Sequence, residues 1–475
     1  MFCEEHIRTG AWYDDQLVSL QFPAEWDVRL LRPRTPPPIT EEQIMEALER
    51  PVGQPPIREL CRGKSRPLIL VDDLNRPTPA SVVIPSVLGH FQAAGISPAQ
   101  VRILVASGTH RAPLPGAIPK KVGSSCPCQV LVHNPLRDVV KIGTTSFGTP
   151  VVVNKDVIAS DFVMGISGVY PNNMAGFGGG AKLALGVLSF RSIAHLHYSH
   201  QSVGWGSSPA DNNFRRDLDE IASLIGLRSI VSLSVNADRE VVRAVSGDHF
   251  LYHRDEVAFV RETFGVPSPV DADVVISNAY PNDASLTFVH MKGTSPLRHC
   301  RPGTSRIAIA SCSEGLGHHG LFPLENTTRL SRARRMAHRA MTVGFREMSG
   351  SIASSVCKRL WANRSEKQIS PPADRQAART PMNPIWLYRP GNHTEELPAQ
   401  VREFRIRSSW SEILEAVQKE QGGKKSLRVL LYTCAPLQCF GLPQESLSSQ
   451  PAEQARWQTT DLRSGVTAPE VFNPR

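Results

Sequence analysis

The stretch RPLILVDDLNRPTPASVVIPSVLGHFQAAGISPAQVRILVASGTH, residues 66–110, carries the pattern on which the fold turns. It opens on an apolar run that ends at Asp72 and Asp73. A proline-rich turn follows, then SVVIPSVLGHFQAAG with helical spacing, then a second apolar run at 101–108. Short apolar runs without alternation mark strands buried on both faces. Strand, helix and strand in that order predict an α/β domain with a largely parallel sheet. Ligands of such sheets collect at the carboxyl ends of the strands. Asp72, Asp73 and Arg76 stand at the first of these ends, and Thr109, His110 and Arg111 at the second.

Working outward, residues 12–22 read as an opening strand and RPRTPPPITEEQIMEALER as a proline-rich entry to a helix capped by Thr40. Residues 161–171 read as a strand, SIVSLSVNADREVVRAVSGD as a hairpin, and FLYHRDEVAFVRETFG as a helix stopping at Gly265. Pro267, Pro269 and Asp271 then punctuate the chain before VDADVVISNAYP starts a second series, with strands at TSRIAIAS and 427–433. The expected division is a domain over 1–268, a second α/β domain over 269–442, and a polar tail over 443–475. The active site is expected in the cleft between two α/β domains. Residues 364–383 read as an inserted loop.

The 475 residues, 41% hydrophobic and 20% charged, suit a globular protein of two or three domains. No window offers about 18 uninterrupted apolar residues, so no membrane-spanning helix is expected. The polar start and the nine irregularly spaced cysteines point to a reducing, cytoplasmic setting. Cys126 and Cys128 lack a matching second pair and read as loop residues. The net charge is +9, and five arginines between 329 and 339 crowd one segment. A solvated helix face is preferred there over nucleic-acid binding, because no aromatic residues interleave the arginines. Excess positive charge also suits a site for acidic small molecules.

YPNNMAGFGGGAKLALGVLS, 170–189, is the chemically richest stretch. GFGGGA fits the dinucleotide glycine pattern, but the next acid, Asp211, lies too far on for a ribose contact. A Walker loop fails as well, with Ala181 before the lysine and Leu183 after it. A tight turn requiring glycines is the structural alternative. Three histidines follow within six residues, His195, His197 and His200, which raises metal binding as a use.

Together VDDLNRPTPA (71–80), ASGTHR (106–111), the block 170–189 with His197, VVISNAYPND (274–283) and ASCSEGLG (310–317) resemble the lactate racemase family. The resemblance runs in order over roughly residues 15–440. It implies a nickel-pincer nucleotide cofactor, a pyridinium mononucleotide with two sulfur-bearing groups, tethered to a lysine and made by dedicated synthesis enzymes. It also implies a small 2-hydroxy acid substrate, racemised or epimerised by proton-coupled hydride transfer. By position, Lys182 matches the tether, His197 the nickel ligand with His200 as fallback, and His110 a catalytic base. Arg76 suits an anion clamp, because its planar fork can bind two oxygens. Asp73, Thr109, Gly179 and Gly180 are expected around the cofactor.

Three departures stand out. Leu185-Gly186 replaces the family's Leu-Pro-Gly. Asn172 occupies the place of a second catalytic histidine, and an amide cannot exchange a proton with a hydroxyl at neutral pH. His195, His200, Tyr170 and Lys292 are the substitutes considered for it. An amide there could instead hold an extra hydroxyl of a larger hydroxy acid. Finally, the family's glutamine and lysine positions after the Tyr-Pro-x-Asp turn fall on Phe288 and Met291, with Lys292 one residue beyond. The alternatives are a one-handed hydride-transfer enzyme with the same cofactor and a non-catalytic binding protein on this scaffold.

Overall fold

The computed structural model describes residues 2–440 except 111, 115, 207–211, 323, 325–381 and 392–394. The arginine run, the tail, Arg111 and all but the last two residues of the 364–383 insertion lie outside the described residues.

Two sheets organise the chain. The first has six strands in the order Val241–Gly247, Leu227–Val235, Phe162–Ser167, Pro67–Asp72, Arg102–Ala106 and Gln129–Val132. All neighbours are parallel except the hairpin edge at Val241–Gly247. Pro67–Asp72 and Phe162–Ser167 are buried at every position, which is why both read as continuous apolar runs. From Pro67–Asp72 the chain crosses to Arg102–Ala106 on one side, while Phe162–Ser167 leads on to Leu227–Val235 on the other. The crevice beyond the carboxyl ends of these two neighbours is therefore the topological switch point, where open α/β sheets bind ligands.

The second sheet has seven strands, ordered Gln400–Val401, Phe404–Arg407, Ile385–Tyr388, Ser305–Ile309, Val274–Asn278, Arg428–Tyr432 and Asp27–Leu31. All pairs are parallel except Gln400–Val401 with its neighbour. The α/β class with largely parallel sheets holds.

The division at 268 differs at the amino terminus. Asp27–Leu31 is an edge strand of the second sheet, pairing with Arg428–Tyr432. Before it, Phe2–Thr9 and Gln16–Pro23 form an antiparallel hairpin, of which only the second strand was anticipated. Ile7, Leu20, Phe22 and Trp26 share a core with Val274, Ile276 and Ile307 of the second sheet. A weakly alternating strand reveals that one face is buried, but not which sheet buries it.

One close approach fixes the site from beneath. Gly186 accepts a hydrogen bond from Gly108 N–H at 2.9 Å, and a Cβ placed on it would lie 2.4 Å from Ala106 O. The glycine-rich segment can lie on the end of Arg102–Ala106 only because residue 186 has no side chain. Gly186→Ala should destabilise the protein by about 1–3 kcal/mol through overpacking, read as a lowered urea midpoint.

Candidate active site

A cleft opens at the switch point, between the ends of the first sheet and two segments of the second. The first sheet supplies Asp73, Arg76, Thr109, His110 and Asn172. The glycine-rich segment and the helix Phe190–Ser199 supply Gly179, Lys182 and His197. The second sheet sends in Phe288, Met291, Lys292 and His319. Asn282 Nδ2 donates to Asn75 O, and Gly320 N–H donates to Thr109 O at 2.9 Å, so the two walls are stitched together.

The glycine-rich turn is braced from behind. Gly179 and Gly180 have φ of +73° and +57°, in the left-handed region that favours glycine. The buried Arg215 guanidinium donates to the carbonyls of Gly179 at 2.9 Å and Phe177 at 2.8 Å. His253 Nε2–H donates to Gly178 O at 2.8 Å. Gly180 faces away from the cleft, and its N–H donates to Tyr252 OH at 2.8 Å. Its expected place around the cofactor is thus a turn position, while Gly179 does line the cleft. Lys182 begins the short helix Lys182–Leu185. Burial, then the charges of Arg76 and Arg215, push its amine down to about 7.

His110 faces Asp73, with Nδ1 to Oδ2 at 2.5 Å. Burial raises the Asp73 carboxyl, but His110, Arg76 and a hydrogen bond from Asn75 outweigh it and hold the group well below its ordinary range. Asp73 is thus a carboxylate, His110 carries its ring proton on Nδ1, and Nε2 is a lone pair. Burial also keeps the imidazolium of His110 below its ordinary value, against the pull of Asp73. Asp72, by contrast, is structural: it binds Lys121 Nζ and accepts from Thr78 Oγ1 at 2.7 Å.

Of the three neighbouring histidines, His197 alone lines the cleft. Its Nδ1–H donates to Ile193 O at 2.8 Å, leaving Nε2 as a lone pair. Burial pushes its imidazolium down to about 4. His200 Nε2 instead meets Asp217 Oδ2 at 2.7 Å, and His195 Nδ1 meets Thr149 Oγ1 at 2.9 Å. The helix end separates them: the helix stops at Ser199 and His200 is extended backbone, so the fallback ligand turns away from the cleft.

Asn172 lines the cleft, but its Oδ1 closes a turn, accepting from Met174 N at 2.9 Å and Ala175 N at 3.0 Å. Only its amide N–H groups are left to face a ligand. Tyr170 is engaged elsewhere, its hydroxyl 3.0 Å from Thr78 Oγ1 and donating to Leu233 O at 3.3 Å. Among the substitutes considered for the missing histidine, only Lys292 reaches the cleft. It sits in a single π-helical turn, Val289–Gly293, and Phe288 and Met291 line the cleft with it. Such a turn accommodates one residue more than an α-helical turn, which suits a lysine one place late. Burial, then Arg76, hold its amine well below the ordinary lysine value.

His319 was missed. The segment that carries the resemblance, ASCSEGLG, ends at Gly317, and the histidines begin at the next residue. Among the described residues no group of three or more His, Cys, Asp or Glu side chains could hold a metal, so His197 would need its partner donors from a bound group.

Residues 13–206 match the family model for the lactate racemase N-terminal domain. The lactate racemase of Lactiplantibacillus plantarum is 27% identical over 293 residues, 59% of this chain and 68% of that protein. The lactate racemase of Thermoanaerobacterium thermosaccharolyticum is 28% identical over 295 residues, 60% of this chain and 69% of that one. In fold, the chain is similar to the lactate racemase apoprotein of T. thermosaccharolyticum, with a TM-score of 0.64 at 20% identity over 92% of this chain and 100% of that one. A protein from Thermotoga maritima follows at a TM-score of 0.56 and 15% identity, over 86% of this chain and 100% of that one. The chain is thus similar to lactate racemases in sequence over 59–60% of its length, and residues 13–206 match the model of their N-terminal domain.

Proposed function

We propose that this chain is a racemase or epimerase of a 2-hydroxy acid, working with a nickel-pincer nucleotide tethered to Lys182. The observation that carries the reading is the convergence of Lys182, His197 and His110 on one cleft. The side chains fit such a group. Lys182 is a buried amine pushed down to about 7, which favours its uncharged, nucleophilic form. His197 offers Nε2, with its other nitrogen tied to backbone as metal-binding histidines commonly are. Imidazole joined to soft sulfur donors suits nickel. When bound, the group supplies a hydride acceptor that can return the hydride to either face of a planar 2-oxo acid.

The protein's own part is binding and proton handling. Arg76 takes the substrate carboxylate in its two-pronged fork, and Lys292 adds a second donor. His110 Nε2 removes the hydroxyl proton as the C2–H bond breaks, and Asp73 stabilises the imidazolium that forms. On return the same proton goes back to oxygen. Phe288, Met291 and His319 cover the site from the second sheet. The test is chiral analysis of a single-handed 2-hydroxy acid incubated with protein produced alongside cofactor-making enzymes. Inversion at C2 supports the reading, and a stereochemically unchanged substrate counts against it.

A pH dependence follows. The base works deprotonated, and burial holds its folded pKa below the ordinary histidine value of about 6.5. The acid limb of kcat/KM should therefore fall below pH ~6.5. A limb centred at or above that value would contradict the assignment of His110.

A further inference from the structure

His319 stands beside His110 in the cleft, with ring centroids 4.8 Å apart and planes at 57°. The two residues also form an isolated antiparallel bridge. Each ring has one nitrogen committed, and the commitments are opposite. His110 Nδ1 faces a carboxylate, so it carries hydrogen and Nε2 accepts. His319 Nδ1 instead accepts from the backbone N–H groups of Leu321 at 3.2 Å and Phe322 at 3.3 Å. A nitrogen receiving two N–H donors presents a lone pair, so the proton of the neutral ring sits on Nε2. His319 is 5% exposed, and the rings of Phe288 and Phe322 lie 6.1 Å and 5.1 Å from it. The result is an acceptor and a donor side by side, each held in its tautomer by the fold.

Building on the functional reading above, we propose that His319 Nε2–H donates a hydrogen bond to the same substrate oxygen whose proton His110 takes. A hydroxyl between the rings donates to His110 Nε2 and accepts from His319. Once the proton has moved to His110 and C2 has become trigonal, His319 stays bonded to the carbonyl oxygen. It thereby polarises the carbonyl for return of the hydride. This pairing also accounts for Asn172 in place of a second base. A planar 2-oxo acid turned half a revolution about its C=O axis shows its other face while its oxygen keeps both imidazole contacts. The carboxylate and the C3 substituent exchange places, and the proton held by His110 returns to the same oxygen. One base then serves both hands.

Two measurements test this. The first is long-range proton–nitrogen NMR on histidine-labelled protein without cofactor, with His319 assigned from the signal lost in His319→Gln. An Nε2–H tautomer that shifts on addition of pyruvate, used as a probe 2-oxo acid, is expected. An Nδ1–H tautomer, or no response to saturating pyruvate, overturns the proposal. The second compares His319→Gln, which keeps an N–H donor, with His319→Phe, which has none, in protein loaded with cofactor. His319→Phe should lose roughly 100-fold in kcat, as for removal of one oxyanion donor, with nickel and the added mass on Lys182 retained. His319→Gln should recover most of the loss. Equal activity of wild type and His319→Phe overturns the proposal. If loaded wild type inverts no 2-hydroxy acid, the functional reading fails, and the NMR result still decides the role of His319.

Discussion

Lys182→Ala should lose activity by at least about 10³-fold, because a tethered group acts at an effective concentration that a free one cannot match. Lys182→Arg should fare no better. It keeps a cation in the cleft but offers no primary amine to attach. Protein without cofactor gives an independent check. Burial pushes the Lys182 amine down to about 7, so far more of it is uncharged near neutrality than of an ordinary lysine. A pH titration of the labelled Lys182 amine by NMR should give a midpoint near 7, and a midpoint near 10 would remove the basis for its nucleophilic role.

His110→Asn should cost about 10²–10⁴-fold in kcat, the range for loss of a positioned general base. The cofactor should remain attached and the nickel bound, since His110 supplies neither. Asp73→Asn should produce a sizeable share of the same loss by another route. Asp73 fixes the His110 proton on Nδ1, and an amide there could donate to Nδ1 instead, turning the ring into the tautomer with no lone pair at Nε2. Parallel measurement of kcat and nickel content separates these effects from simple unfolding.

Much of the site was legible because its residues follow strand ends. Asp73 and Arg76 close one buried run, and Thr109 and His110 close its neighbour, so a parallel-sheet reading brings them together without further information. Lys182 was marked by the glycines before it and His197 by the cluster of three histidines, and the family resemblance gave both their expected roles. What stayed hidden depended on contacts between distant segments. That His200 binds Asp217 rather than facing the cleft depends on where one helix frays into extended backbone. The role of Gly180 rests on Arg215, Tyr252 and His253 packing behind the turn, more than 30 residues along the chain. His319 reaches His110 only because a loop of the second sheet crosses to the first, and Gly320 permits it: a Cβ there would sit 2.9 Å from Thr109 Cβ. The place of Asp27–Leu31 in the second sheet was hidden for a similar reason, since its partner strand Arg428–Tyr432 lies about 400 residues away.

The most direct test of the account is intact mass and metal analysis of the chain produced with cofactor-making enzymes, beside Lys182→Ala and His197→Ala. The account predicts added mass that maps to Lys182, about one nickel per chain, no added mass in Lys182→Ala, and mass without tightly held nickel in His197→Ala. An unmodified wild-type chain free of nickel, from cells in which a lactate racemase is loaded in parallel, would contradict it.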